Sequence, residues 1–446
     1  MLSKAGISGD VAWAVADTKS RLRLESVNGG VGLPPASVAK ALTALYALEA
    51  LGGDHRFRTR VIADGPIADG ILDGDLILAG GADPTLTTDG LGILAKQLKD
   101  SGLREVRGNF IVYDGMLPDV FSIDPGQPDQ VGYSPAVSGI ALNWNRVHFE
   151  WRRDGDGYDV SMDARTERYR PEVAMAVMEV VKRSTPIYTF AEIEDRDYWT
   201  VASGALGKGG SRWLPVRQPG AYAGDVFRTL ARSHGIVLKK ATVSKDYRGG
   251  VVLAQIESDP LWDILRAMLK FSNNLIAETV GMAATEKLSG KPKSLADSAA
   301  KMSRWASRRF DTKGTLLVDH SGLGEDSKMT ADDLVSALVE ARHRGLLRPL
   351  LKPIPMRDSQ GRPDRSSPIH VDAKTGTLNF VSGLAGFVTA ADGTELAFAI
   401  FAADTEARDR IPREARERPP GARGWNARAK TFQMRLISRW GALYGS

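Results

Sequence analysis

Between Pro35 and Gly52 the chain can form a helix with almost no side fit to face water. Ala39-Lys40-Ala41-Leu42-Thr43-Ala44-Leu45 begins a nearly wholly apolar run. Pro34-Pro35 end the segment before it and Gly52-Gly53 stop it. A helix apolar all round has to be enclosed by other elements, so the fold must build a core about it. Ser37 falls in its first turn and Lys40 three residues later, on the same face. A hydroxyl and an amine so placed form a nucleophile with its base beside it, at a helix end whose free N–H groups point toward whatever Ser37 attacks.

The enclosing elements come from both chain ends. Residues 11–16 and 21–25 read as adjacent strands before the helix. Residues 377–381 read as a strand opened by Lys374-Thr375-Gly376, and residues 396–401 as another reached through Asp392-Gly393, a favoured hairpin turn. One sheet made from both ends leaves the middle as an insertion, and 446 residues are too many for a single ordinary core. From Val61 on, Asp-Gly pairs at Asp64-Gly65, Asp69-Gly70, Asp73-Gly74 and Asp114-Gly115 punctuate short apolar runs, a strand-and-turn pattern. A helix over 91–100 interrupts it, closing at Ser101-Gly102. A second strand-like set spans 146–214, and its Gly-rich stretch 204–210, lacking the order of a phosphate loop, reads as a hairpin connection. The expected domains are 1–60 with 261–446, an insert over 61–145 and 215–260, and a nested insert over 146–214. Trp425, Ala429, Phe432, Leu436, Trp440 and Leu443 predict a core-packing helix near the C-terminus, its basic residues on a solvated face.

Ser-x-x-Lys recurs at Ser298-Ala299-Ala300-Lys301, within a polar stretch over 294–310 that reads as a surface helix, so this pair is assigned to a solvated face. Two more motifs strengthen the Ser37 pair. Ser272-Asn273-Asn274 follows an apolar helical stretch, and Lys-Thr-Gly occurs once, at Lys374. Ser26-Val27-Asn28 repeats the Ser-x-Asn pattern but reads as a turn. The ordered set S-x-x-K, S-x-N, K-T-G is the signature of penicillin-binding proteins and serine β-lactamases. The chain has no cysteine, which excludes disulfides, thiolate zinc sites and cysteine nucleophiles; no H-E-x-x-H or G-x-S-x-G is present either, and neither metal nor cofactor is expected.

With these motifs the chain resembles the low-molecular-mass class C penicillin-binding proteins, the D-alanyl-D-alanine carboxypeptidase/endopeptidase family. Gly70 to Leu86, Ser272-Asn273-Asn274-Leu275-Ile276-Ala277-Glu278 and Asp319-His320-Ser321-Gly322-Leu323 are similar to further blocks of that family. The resemblance implies an α/β (α+β) transpeptidase-like domain, an antiparallel sheet flanked by helices, with nested β-rich inserts. It implies that Ser37 attacks the bond between two terminal D-alanines and that Lys40 takes its proton. Ser272 relays a proton to the leaving amine and Asn274 holds the substrate amide. Lys374, Thr375, Gly376 and Thr377 hold the terminal carboxylate, with the N–H groups of Ser37 and Thr377 as oxyanion donors. Asp129 lies near where relatives place an acid that binds a side-chain amine; as a bare residue it is a loop carboxylate in water. Moving Lys40 from roughly 10.4 to about 7 takes on the order of 4 to 5 kcal/mol, to be supplied by burial and by Lys374 as a neighbouring cation.

The family's Asp-Gly-Ser-Gly-Leu-Ser-Arg is here Asp319-His320-Ser321-Gly322-Leu323-Gly324-Glu325, a glutamate where an arginine holds an acidic substrate group. Implied partners are peptidoglycan stem peptides and β-lactams. Nucleic acid is not expected, despite the arginine-rich stretch 408–423, nor more than peripheral membrane contact. No run of about 18 apolar residues is present and residues 1–10 lack a signal-peptide core. The implied location is periplasmic or extracytoplasmic, so a signal peptide is expected to precede this sequence in the gene product. A serine β-lactamase shares the motifs but has a much shorter gap between Ser37 and Ser272. A non-catalytic peptidoglycan binder or sensor is disfavoured by three intact motifs.

Overall fold

The computed structural model of the protein describes residues 2–247, 249–358 and 360–445. The chain divides into two compact units. One takes the N-terminal part up to Gly53, Leu261–Gly290 and the chain from Leu295 on; the other takes Asp54–Pro260 and Lys291–Ser294.

The first unit is built on a six-stranded antiparallel sheet. Its strands are β1 (Asp10–Asp17), β2 (Arg23–Val27), β3 (Lys352–Pro353), β4 (His370–Leu378), β5 (Val381–Thr389) and β6 (Glu395–Ala403), in the order β3-β4-β5-β6-β1-β2. Asp10 faces Ala403 across the seam, so the two chain ends share one sheet. Central strands β1, β5 and β6 are buried at nearly every position, as helices on both faces require. One face packs Trp13, Leu384, Phe398 and Ile400 against Trp425, Phe432, Leu436 and Trp440 of helix α6 (Ala422–Leu443). The other carries α5 (Ala331–His343) and the turn at Ala36–Val38 that leads into α1 (Ala39–Leu51). Helix α1 is buried from Ala39 to Leu48 among α2 (Leu261–Phe271), α3 (Asn274–Ser289) and α4 (Leu295–Phe310).

Several expected elements shift. Lys374 does not open a strand: it lies inside β4, and the apolar run 377–381 breaks at Asn379-Phe380, where Phe380 takes φ 56° to turn into β5. The hairpin at Asp392-Gly393 joins β5 to β6. Ser26 belongs to β2, and only Asn28 turns. Leu443, expected on the buried stripe of α6, is exposed. Ser298 is the largest departure: the helix over 294–310 is amphipathic, and this serine lies on its fully buried side.

The second unit holds a five-stranded sheet ordered Thr242–Ser244, Phe110–Tyr113, Asp75–Ala79, Arg58–Asp64, Val251–Glu257, with helices Thr88–Asp100 and Pro219–Ser233. Residues 146–214 form two three-stranded sheets whose Phe149, Trp199 and Val201 share a core with Leu78, Phe110 and Phe227. The stretch 204–210 is not a hairpin: Arg196–Ala202 before it and Gly209–Pro215 after it belong to different sheets. Among the described residues no helix is long and apolar enough to cross a membrane.

Candidate active site

Ser37 sits in the turn ahead of α1, after Ala36, whose φ of 46° is a left-handed conformation an alanine rarely adopts. Two glycines press the surrounding backbone against this turn. A Cβ at Gly376 would stand 2.8 Å from the Pro35 carbonyl oxygen and 3.1 Å from the Ser37 nitrogen, so β4 lies against the serine only because residue 376 has no side chain. A Cβ at Gly322, itself at φ 76°, would fall 1.9 Å from the Ala36 carbonyl oxygen.

Lys40 is fully buried, and its Nζ lies 2.9 Å from Ser37 Oγ, 2.7 Å from Asn274 Oδ1 and 2.9 Å from the Ser321 carbonyl oxygen. The last two atoms can only accept. A neutral amine would spend its two N–H groups on them and turn its lone pair toward the Ser37 hydroxyl, whereas an ammonium would donate to all three. Burial pushes Lys40 down to about 8, while the Glu278 and Asp319 carboxylates oppose a further fall.

Ser272 follows α2 at φ 59°, and its Oγ accepts from Lys374 Nζ at 2.9 Å. Asn273 caps α3, its Oδ1 accepting from the Ile276 N–H at 3.1 Å, which puts Asn274 in the first turn facing Lys40. Lys374 also donates to the Thr375 carbonyl at 2.7 Å. Burial lowers Lys374 to about 6, with the charges of Lys40 and Lys352 adding to the effect. The lowering expected at Lys40 from Lys374 thus falls on Lys374 itself; a carboxylate arriving beside it would favour its charged form again. Thr375 is partly buried and Thr377, opposite Ser382, is exposed near the end of β4. Asp129 belongs to the second unit, in a loop where Arg217 donates to its backbone carbonyl at 2.8 Å.

The loop 319–324 supplies groups to which the sequence reading assigned no role. Glu278 of α3, fully buried, accepts from the N–H groups of His320 at 2.8 Å and Ser321 at 3.0 Å. Asp319 accepts from Gly322 and Gly324, each at 2.6 Å, and Thr43 donates to the His320 carbonyl at 2.6 Å. The His320 ring bonds Ser298 Oγ at 2.8 Å, and Ser298 continues to Thr285 at 2.7 Å. Burial drives His320 down to about 3, so it stays neutral. The second Ser-x-x-Lys is therefore structural: Ser298 anchors His320, while Lys301 pairs with Asp297. A lone charge in the apolar run 275–284 of α3 was the sequence signal that could have marked Glu278. Glu325, where the resembling family has arginine, pairs with Arg416 at 2.7 Å and Arg408 at 3.3 Å, drawing part of the basic stretch inward.

Sequence and fold comparisons identify the family and the fold. The chain is 29% identical over 429 residues to a D-alanyl-D-alanine carboxypeptidase of Actinomadura sp. (strain R39), covering 89% of this chain and 78% of that protein. Penicillin binding protein 4 (dacB) from Haemophilus influenzae has the same fold, with a TM-score of 0.75 at 22% identity over 90% of this chain and 92% of that one. The same protein complexed with a novel beta-lactam gives a TM-score of 0.72 with the same identity and coverage. The model of the D-Ala-D-Ala carboxypeptidase 3 (S13) family matches residues 2–418, and the chain belongs to that family.

Proposed function

We propose that the protein hydrolyses the D-Ala-D-Ala bond of peptidoglycan stem peptides, and by the same chemistry a D-Ala cross-link, through an acyl-enzyme on Ser37, and that β-lactams acylate the same oxygen. The observation that carries this reading is the buried Lys40 amine, 2.9 Å from Ser37 Oγ with two pure acceptors on its other side. A neutral Lys40 takes the Ser37 proton as the hydroxyl attacks. The N–H groups of Ser37 and Thr377 receive the developing oxyanion. Such donors are already aimed when charge forms, and each is typically worth about a hundred- to a thousandfold in rate. Ser272, bonded to Lys374, relays to the departing D-alanine the proton that Lys40 took from Ser37, and water then hydrolyses the acyl-enzyme, its proton returning to Ser37 as the acid leaves. Lys374, Thr375 and Thr377 hold the terminal carboxylate, Gly376 lets the strand approach, and Asn274 divides its amide between Lys40 and the substrate backbone. Asp129 is retained as a candidate for a side-chain amine of the stem peptide. Such a substrate places the enzyme outside the cytoplasmic membrane.

Incubation with benzylpenicillin, followed by peptide mapping, tests the assignment. The expected result is a stable adduct on the peptide carrying Ser37, together with release of D-alanine from a peptide ending in D-Ala-D-Ala; an adduct elsewhere, or none, overturns it. The acylation rate should also depend on pH with a definite sign. Because the neutral amine is the active form, the rate is expected to rise as pH climbs through about 8, where Lys40 sheds its proton. Stopped-flow acylation from pH 5.5 to pH 9.5 checks this.

A further inference from the structure

We propose that Glu278 is a positioning residue for this chemistry: its carboxylate fixes the backbone carbonyl that orients Lys40, and it supplies the negative charge that acts on the amine from inside the core. This deepens the reading of Ser37 and Lys40 above and rests on it.

Glu278 is the only ionisable residue between Leu275 and Ala284, in a part of α3 buried throughout. A carboxylate in such a place is strongly disfavoured unless matched donors hold it. Its partners are the consecutive N–H groups of His320 and Ser321. The second of these residues offers its carbonyl to Lys40 Nζ at 2.9 Å. Ser321 is thus tied at its nitrogen to Glu278 and at its oxygen to Lys40, and a shift of the first bond swings the second. Thr43 and Ser298 hold His320 from other helices and Asp319 braces the loop from within, whereas the bond to Glu278 ends on Ser321, the residue whose carbonyl meets Lys40.

The charge has its own effect. Glu278 and Asp319 both oppose the lowering of Lys40 by burial; burial and Asp319 push Glu278 up to about 8 against the pull of its two N–H bonds and of Lys40, so the carboxyl ionises over the same pH range in which the amine sheds its proton, and its charge acts on Lys40 there. The other ionisable groups around this site are His320, held neutral by burial, and Lys374 on β4, which itself feels the charge of Lys40. Removing the Glu278 charge leaves Lys40 with less to keep its proton, so the amine becomes neutral at lower pH. Removing the clamp lets the Ser321 carbonyl drift, so fewer amines point at Ser37. A residue that merely supported the loop would produce the second effect without the first.

The test is the pH dependence of the second-order rate of acylation by benzylpenicillin for the wild type, Glu278→Gln, Glu278→Asp and Thr43→Val, each with a thermal melt. In Glu278→Gln the acid limb is expected to move down by about one pH unit, as for loss of a nearby opposite charge. Its plateau should fall about tenfold, as for a slightly misplaced catalytic group. Glu278→Asp keeps the charge and shortens the reach, so its limb should stay and its plateau fall. Thr43→Val loosens the loop at His320 without changing charge, so its limb should stay as well. A Glu278→Gln limb coincident with the wild type overturns the proposal. Should Glu278→Gln fail to fold, Glu278→Asp decides against Thr43→Val as the measure of mere loop support: a plateau no lower than that of Thr43→Val overturns the positioning role, and a lower one with an unmoved limb upholds it. A wild type that is not acylated, or whose rate is flat with pH, defeats the reading of Ser37 and Lys40 itself and is recognised before any variant is compared.

Discussion

Lys40→Met is expected to slow acylation of Ser37 by benzylpenicillin about a thousandfold or more, the range in which a positioned general base acts. Methionine matches the lysine stem in length, so the fully enclosed position keeps its packing. It offers no lone pair able to take the serine proton, and it removes the bonds that Lys40 donates to Asn274 Oδ1 and to the Ser321 carbonyl, each such loss disfavouring the fold by about 1 to 3 kcal/mol. Against this, the variant no longer has to desolvate an ammonium, an effect of the opposite sign. The expected outcome is a folded protein with a modestly changed melting temperature and almost no reaction. A rate within tenfold of the wild type would show that another group takes the proton.

Gly322→Ala is expected to destabilise the protein by about 3 kcal/mol or more and to abolish acylation, because two separate penalties meet at one atom. The residue sits at φ 76°, where any Cβ is strained, and that Cβ would lie 1.9 Å from a backbone oxygen that no side-chain rotation can move aside. The oxygen belongs to Ala36, so any relief displaces the residue next to Ser37. Denaturant unfolding would read the first effect and adduct formation in the surviving folded fraction the second. Gly235→Ala, where φ is also positive but no atom lies within 4 Å of the added carbon, separates backbone strain from collision.

The groups nearest the chemistry were legible because each motif fixes its geometry locally. Three residues along a helix place Lys40 beside Ser37, and a cap at Asn273 aims Asn274, with little help from distant parts of the chain. Glu278, Asp319 and the Ser321 carbonyl were not legible in this sense, since their roles depend on a loop brought against two helices from far along the chain, and a backbone carbonyl carries no residue-type signal at all. The polar letters of 294–310 suggested water. Small hydroxyls such as Ser298 and Ser303 can enter a core when partners await them, and composition does not distinguish that case from an exposed face. The break at Asn379-Phe380 was hidden for a related reason: Phe380 and Val381 continue the apolar run, and the turn between them and Thr377 is held by β5 and by Arg416, whose carbonyl accepts from Asn379 at 2.6 Å.

The pairing of β1 with β6 has a consequence for how the enzyme comes into being. Ser37 and its lysine are made early and Lys374 late, yet the sheet behind them closes only when the last strand and the terminal helix have been synthesised. A ribosome-bound chain that already carries every motif residue therefore still lacks β6, which joins β5 to β1. Whatever reactivity Ser37 has thus cannot precede the synthesis of β6.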